Sequence, residues 1–197
     1  MPMSESRVVL DADFINLITD IRDSDPADLF KRIFAALGKT PVVHPYVAQH
    51  ELYSNKVVQA LIASGDLSVI QKGLFLPAGD TFSETLYEKN FYNIYNVITK
   101  DPLPCLGDIW QHRAGNNFGE IHSVLMAAEL GLPLFYSNDG GAKQAATYYA
   151  TGRLDVLNAA ELADNLTEST TITGKERKYL RKYKEHAEHE RQLSACR

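Results

Sequence analysis

The sequence predicts an α/β fold, a three-layer α/β/α sandwich around a mostly parallel central sheet. Three observations carry that prediction. Short apolar runs suited to buried strands recur at residues 7–10, 40–44, 133–136 and 154–157. Between them lie stretches with apolar residues at i, i+3, i+4 and i+7, the spacing of an amphipathic helix. Glycine, proline and capping residues fall at the seams, where such elements start and stop. Strands alternating with helices of about ten residues or more make βαβ units, whose helices cover both faces of a parallel sheet.

In chain order, residues 7–10 read as a buried strand and 14–21 as a helix behind it. Asp25, with Pro26 at the first helical position, starts a helix that runs to about Leu37 and stops at Gly38. Residues 40–44 give a second strand. Pro45 then opens a helix through Glu51 and Leu52, and 56–63 is its continuation or a neighbour. Residues 67–70 fit a short edge strand. A long helix is expected over 80–99, with Phe82, Leu86, Phe91, Tyr95 and Ile98 packed in the core. Asp101-Pro-Leu-Pro breaks the pattern, and 107–118 has no clear period. Ile121, Val124, Leu125 and Ala128 restore the helical period, and Gly131 ends it. A strand over 133–136 finishes in Ser137-Asn138-Asp139, followed by a helix through Tyr149, a strand at 154–157 and a short helix at 159–166.

A chain of 197 residues, 45% hydrophobic, buries a core large enough for one domain. We place that domain at residues 1–166 and a basic helical extension at 167–197. From Gly174 to Arg197 there are eight Lys and Arg against four Asp and Glu, a net of +4, so residues 1–173 carry −9 of the total −5. In the extension, Lys178, Arg181, Lys182 and Glu185 share one helix face and Tyr179, Leu180, Tyr183 and Ala187 another. That pattern fits a solvated helix docked by its tyrosines, or a surface that grips a phosphate backbone. No apolar run approaches the roughly 20 residues that span a bilayer, and MPMSESR lacks the apolar core of a signal peptide, so a cytoplasmic, non-membrane protein is expected. Cys105 and Cys196 have no CxxC spacing, which argues for free thiols. His44, His50, His112 and His122 form no HExxH pattern, so zinc is not expected and the histidines are read as structural or substrate-adjacent.

The chemistry lies in the acids. The run VVLDADFI at 8–15 carries three aliphatic residues straight into Asp11 and Asp13, at the strand end where parallel sheets place their ligand sites. Glu51 follows the second strand, Glu120 begins the central helix, and Asp139 follows the fourth apolar run. Carboxylates gathered from distant segments repel one another unless a divalent cation neutralises them. Oxygen ligands without His or Cys select Mg²⁺ or Mn²⁺, and such a site suits phosphodiester hydrolysis. Each acid also has an ordinary use: Asp11 and Asp13 as local caps, Glu120 in a capping box with Asn117, Asp139 in an Asx turn, and Glu51 as a solvated helix acid whose place Glu84 or Asp108 would take.

These stretches, VVLDADFIN at 8–16, VAQHEL at 47–52 and GEIHSVLMAAELGLPLFYSND at 119–139, together resemble the PIN domains, a family of metal-dependent nucleases. The likeness covers about residues 7–157. It implies an α/β/α sandwich and a Mg²⁺- or Mn²⁺-dependent endoribonuclease of single-stranded RNA, leaving a 5′-phosphate and a 3′-hydroxyl. It implies that Asp11, Glu51, Glu120 and Asp139 are the catalytic and metal-binding tetrad, with Asp13 in the place of a common Ser or Asn and Ser137 as the small hydroxyl before the last acid. Asn138, Arg113 and Lys143 are then candidates for the surrounding shell or for phosphate contact. The family contains toxins held by an antitoxin-like protein and RNA-processing enzymes, so a protein partner and a homodimer stay open beside the RNA. The chain departs from the family pattern in a longer 67–117 stretch and in its basic tail. Two other readings compete: a non-catalytic RNA- or protein-binding module of the same fold, and an aspartyl phosphatase in which Asp11 of LDADFI is the nucleophile. Against the latter, no Lys followed by GDxxxD occurs downstream.

Overall fold

The computed structural model describes residues 7–22, 24–100, 102–113, 117–166 and 171–182. Its five strands, β1 (Arg7–Leu10), β2 (Thr40–Val43), β3 (Ser68–Val69), β4 (Leu134–Tyr136) and β5 (Asp155–Leu157), form one sheet in the order β3-β2-β1-β4-β5. Every pairing is parallel. Strand β1 is central, with Val9 opposite Val42 on one side and Phe135 on the other. Its residues Val8, Val9 and Leu10 are fully buried, as a strand covered on both faces requires.

Alternation along the strands divides the core in two. Val9, Val42 and Phe135 point to a layer made by α5 (Thr81–Ile98), α6 (Phe118–Glu129) and α7 (Gly140–Tyr149). Val8, Leu10, Val43 and Tyr136 point to the opposite layer, made by α1 (Ala12–Thr19), α2 (Pro26–Leu37), α4 (Lys56–Ser64) and α8 (Ala159–Asn165). The three-layer α/β/α sandwich is therefore as expected. The helix α3 (Pro45–His50) bridges the two cores, giving Tyr46 to one and Val47 and Ala48 to the other.

Capping residues explain most boundaries. The Asp25 carboxylate accepts from the amides of Ala27 and Asp28 at the start of α2, and Gly38 ends that helix at φ 60°. Asn55 caps α4 through Val57 and Val58, which makes α4 a neighbour of α3 rather than its continuation. Helix α3 ends at His50, so Glu51 is its C-cap and not an interior residue. The expected core stripe of α5 holds for Phe91, Tyr95 and Ile98 but not for Phe82 and Leu86, which are exposed. Tyr87 is buried in their stead, its hydroxyl within hydrogen-bond distance of His122 of α6.

The expected boundary at residue 166 is crossed by packing. A helical segment at 174–182 follows a capping arrangement in which the Glu176 amide donates to Thr173 Oγ1 and the Thr173 amide to Glu176 Oε2. Leu180 and Ile172 join the core beneath α1 and α2. Glu176 is 2% exposed and accepts from Arg32 Nη2 at 2.8 Å and Ser24 Oγ at 2.7 Å. Lys178, Arg181 and Lys182 face solvent, and Arg181 pairs with Asp164. The expectations on Tyr183, Glu185, Ala187 and Cys196 fall outside the described residues. Cys105 is free and exposed. Among the described residues, no helix is long and apolar enough to cross a membrane.

Candidate active site

The connection after β1 enters α1 on one face of the sheet, whereas the connection after β4 enters α7 on the other. Adjacent strands whose continuations leave in opposite directions open a crevice at their carboxyl ends. Asp11 and Asp139 are the first residues of those two departures that carry charge. A cavity of about 590 Å³ lies there, lined by Asp11, Asp13, Glu51, Glu120 and Asp139 together with Asn16, His112, Arg113 and Asn117. A second cavity of about 570 Å³, lined by Asp20, Arg22, Lys175 and Glu176 among others, mixes both signs of charge. Size does not separate the two; the gathering of acids does.

Asp11, Asp13 and Asp139 are each held by nearby donors. Asp11 Oδ1 accepts from the Ala12 amide at 2.9 Å and Oδ2 from Ser137 Oγ at 2.8 Å. Ser137 Oγ in turn accepts from the Asp139 amide at 3.1 Å, so one buried hydroxyl ties the ends of β1 and β4 together. Asp13 Oδ2 accepts from the Asn138 amide at 3.1 Å. Asp139 Oδ1 accepts from the Gly141 amide at 2.6 Å and caps α7. The Glu51 carboxyl stands against the Gly119 backbone, whose amide pulls its pKa down. Thus Asp11 and Asp139 do serve as caps, and they line the cavity as well. Glu120 forms no capping box: Asn117 has no side-chain bond to α6 and stands in the left-handed region at φ 55°. As the side chains stand, no group of three or more His, Cys, Asp or Glu among the described residues is arranged to hold a metal ion. The oxygens of Asp11, Asp13 and Asp139 are turned to these N–H and O–H donors.

The acids are electrostatically strained. Burial, and then the Asp139 charge, push Asp11 up to about 6 against the pull of Ser137 and Ala12. Burial and the Asp11 charge push Asp13 to about 8. The same two causes push Glu51 to about 8. Glu120 is raised well above the ordinary range by burial, then by Asp11 and Asp139. Among the described lining residues Arg113 is the one Lys or Arg. Like charges held together in low dielectric with so little compensation are the condition that a hard cation relieves.

Of the remaining expected residues, Ser137 and Asn138 are buried behind the acids, Asn138 Oδ1 accepting from the Ala159 amide at 2.9 Å. Arg113 is at the cavity, its amide donating to Tyr46 Oη at 3.4 Å. Lys143 is not; it lines a separate cleft beside β5 with Thr147, Thr151 and Glu161. Neither Glu84 nor Asp108 takes the place of Glu51, since both line a cleft around Trp110. His44 and His122 are structural, as expected. Both are fully buried, stacked at 4.9 Å, with His122 Nδ1 2.8 Å from Tyr87 Oη and burial pulling its pKa down to about 3. His112 belongs to the cavity wall and stacks on His50 at 5.7 Å.

The sequence assigns no site role to Asn16 or Gly119, and to Asn117 only a capping one. Asn16 lies one helical turn beyond Ala12, which is a spacing that points it to the same edge as Asp13. Nothing in the sequence marked Asn117 as left-handed. No family model matches the chain, and neither a curated protein nor a solved structure matches it.

Proposed function

We propose that this chain is a Mg²⁺- or Mn²⁺-dependent endoribonuclease that hydrolyses phosphodiester bonds of single-stranded RNA, as the resemblance to PIN domains implies. The observation that supports it is the convergence of Asp11, Glu51, Glu120 and Asp139, from four remote segments, on one cavity at the carboxyl edge of the sheet. The donor set is all oxygen, which fits a hard divalent cation. Asp11, Glu120 and Asp139 would hold it, with Glu51 on the same wall. When bound, such an ion supplies charge neutralisation at the scissile phosphate and a water acidified enough to attack at neutral pH. The chain's own groups do the rest. Ser137 Oγ fixes the Asp11 carboxylate through a hydrogen bond, and Asp13 is fixed through the Asn138 amide. Arg113 presents a positive charge at the cavity, suited to a phosphate oxygen, and the amides of Asn16 and Asn117 supply neutral donors at its wall. Burial, and then the charges of Asp11 and Asp139, hold the Glu120 carboxyl well above the ordinary carboxylate range.

The test is cleavage of end-labelled single-stranded RNA by purified protein with Mn²⁺, with EDTA, and beside an Asp139→Asn variant. Metal-dependent cleavage lost in the folded variant supports the reading. Undiminished cleavage in that variant removes it, and absence of Mn²⁺ binding by the wild type would leave the fold as a non-catalytic module.

A further inference from the structure

Of the helices α1 to α8, seven have a side chain from their own N-cap residue bonded to a first-turn amide, and α6 alone has none. Its N-cap, Asn117, is left-handed, and its side chain lies beside Asp139 and Gly141 instead. Yet the first turn of α6 is buried, with Phe118 and Ile121 at 2% and 0% exposure, so its free amides need a partner. The partner comes from 68 residues earlier in the chain: the Glu51 carboxyl stands against Gly119, whose backbone amide pulls its pKa down. The approach is so close that a Cβ on residue 119 would stand 2.4 Å from Glu51 Oε1 and 2.8 Å from its Cδ. Any side chain at 119 would therefore drive the carboxylate off the helix end. Glu51 is itself anchored, its amide donating to the Val47 carbonyl at the end of α3, and Tyr46 of α3 packs against His122 of α6 at 4.6 Å.

We infer that Glu51 is a positioning residue: its carboxylate rests where residue 119 has no side chain, caps α6 from a remote segment, and so fixes Glu120 one residue further along the same turn. An acceptor with a partial or full negative charge is what a helix N-terminus favours. The acid at 51 thereby acts on the site through the placement of Glu120, and the missing side chain at 119 is the condition that lets it. The capping stands on its own; the consequence for the metal rests on the function proposed above.

The experiment uses the full chain as wild type, Glu51→Gln, Glu51→Ala, Gly119→Ala and, as a control for a lost ligand, Asp139→Asn. Two readouts are taken: backbone amide exchange of residues 119–121 without metal, and affinity for Mn²⁺ alone by electron paramagnetic resonance. Glu51→Ala and Gly119→Ala are expected to speed first-turn exchange about tenfold, the usual worth of a lost cap, and to weaken Mn²⁺ binding by a similar factor. Glu51→Gln keeps an oxygen that accepts from the Gly119 amide, so it is expected to stay within about threefold of wild type in both readouts. The inference is overturned if Glu51→Gln loses Mn²⁺ as deeply as Asp139→Asn while residues 119–121 stay protected, because Glu51 is then a ligand. Wild-type exchange rates in Glu51→Ala overturn it as well. If the wild type binds no Mn²⁺, the proposed function fails and the exchange data alone decide whether Glu51 caps α6.

Discussion

Replacing Asp11 by Asn should make the metal-free protein more stable at alkaline pH, although it removes a residue central to the proposed site. Asp11 is 2% exposed, and burial with the neighbouring Asp139 charge raises its carboxyl from 3.8 to about 6. At about 1.4 kcal/mol per tenfold change in proton affinity, that displacement costs the ionised native state about 3 kcal/mol. Between pH of about 4 and 6 the folded chain holds a proton that the unfolded chain has already released. Stability therefore falls as pH rises through this window, and the loss is complete above it. Asn removes the charge and keeps an oxygen for the Ala12 amide, but its NH₂ group faces Ser137 Oγ where an acceptor stood, a mismatch worth about 1 kcal/mol. The net gain is about 2 kcal/mol at pH 8, which for a chain of this size raises Tm by about 4–8 °C. The assay is thermal unfolding followed by circular dichroism, in EDTA, at pH 8 and pH 4. The gain should be present at pH 8 and gone at pH 4. With Mn²⁺ at a hundred times its Kd the wild type recovers about 2.7 kcal/mol and the variant does not. A variant that melts below wild type at pH 8 would refute the claim that this carboxylate is held against its own electrostatics.

Glu176 predicts the opposite pH dependence. Burial alone would raise its carboxyl, but Arg32, the Thr173 amide and Ser24 together hold it down to about 2, so its stabilisation is present above about 4.5 and is lost as pH falls toward 2. Glu176→Gln should cost about 2 kcal/mol at pH 7, discounted because Arg32 is one-third exposed, and almost nothing at pH 2, measured by urea titration at both. Leu180→Ala, at a fully buried position, should cost about 2–5 kcal/mol in the same titration if the 174–182 segment belongs to the core, and well under 1 kcal/mol if it is an appendage. Asp139→Asn should remove Mn²⁺-dependent RNA cleavage with little change in Tm, since Asn still caps α7; cleavage at the wild-type rate would contradict its role.

What the sequence disclosed follows from the range of the forces involved. Pro26 and Gly38 fix α2 by local backbone constraints, and β1 was readable because three consecutive aliphatic residues leave no other burial. The order of the acids along the chain, set against strand ends, was enough to foresee that Asp11, Glu51, Glu120 and Asp139 share a cavity. Long-range choices were hidden. Phe82 and Leu86 satisfy the helical period of α5 yet are exposed, and periodicity carries no information about which face a partner covers. Lys143 sits only four residues after Asp139, yet it lines the cleft beside β5 and not the cavity at the strand ends. The Asn117 and Glu120 spacing suggested a capping box that a single left-handed residue abolishes. At Glu51 and Gly119 the interaction joins residues remote in sequence, and no local rule connects them.

The sheet that separates the two cores also joins them mechanically. Asp13 rides on α1, whose apolar side is bedded in one layer, while Glu120 rides on α6, bedded in the other. The gap between these two carboxylates is thus a gauge of how the layers sit across the strands. Close-packed interiors transmit displacement rather than absorb it. A methylene added beneath α2, or removed beneath α5, is consequently felt as a change in aperture at a place neither residue touches.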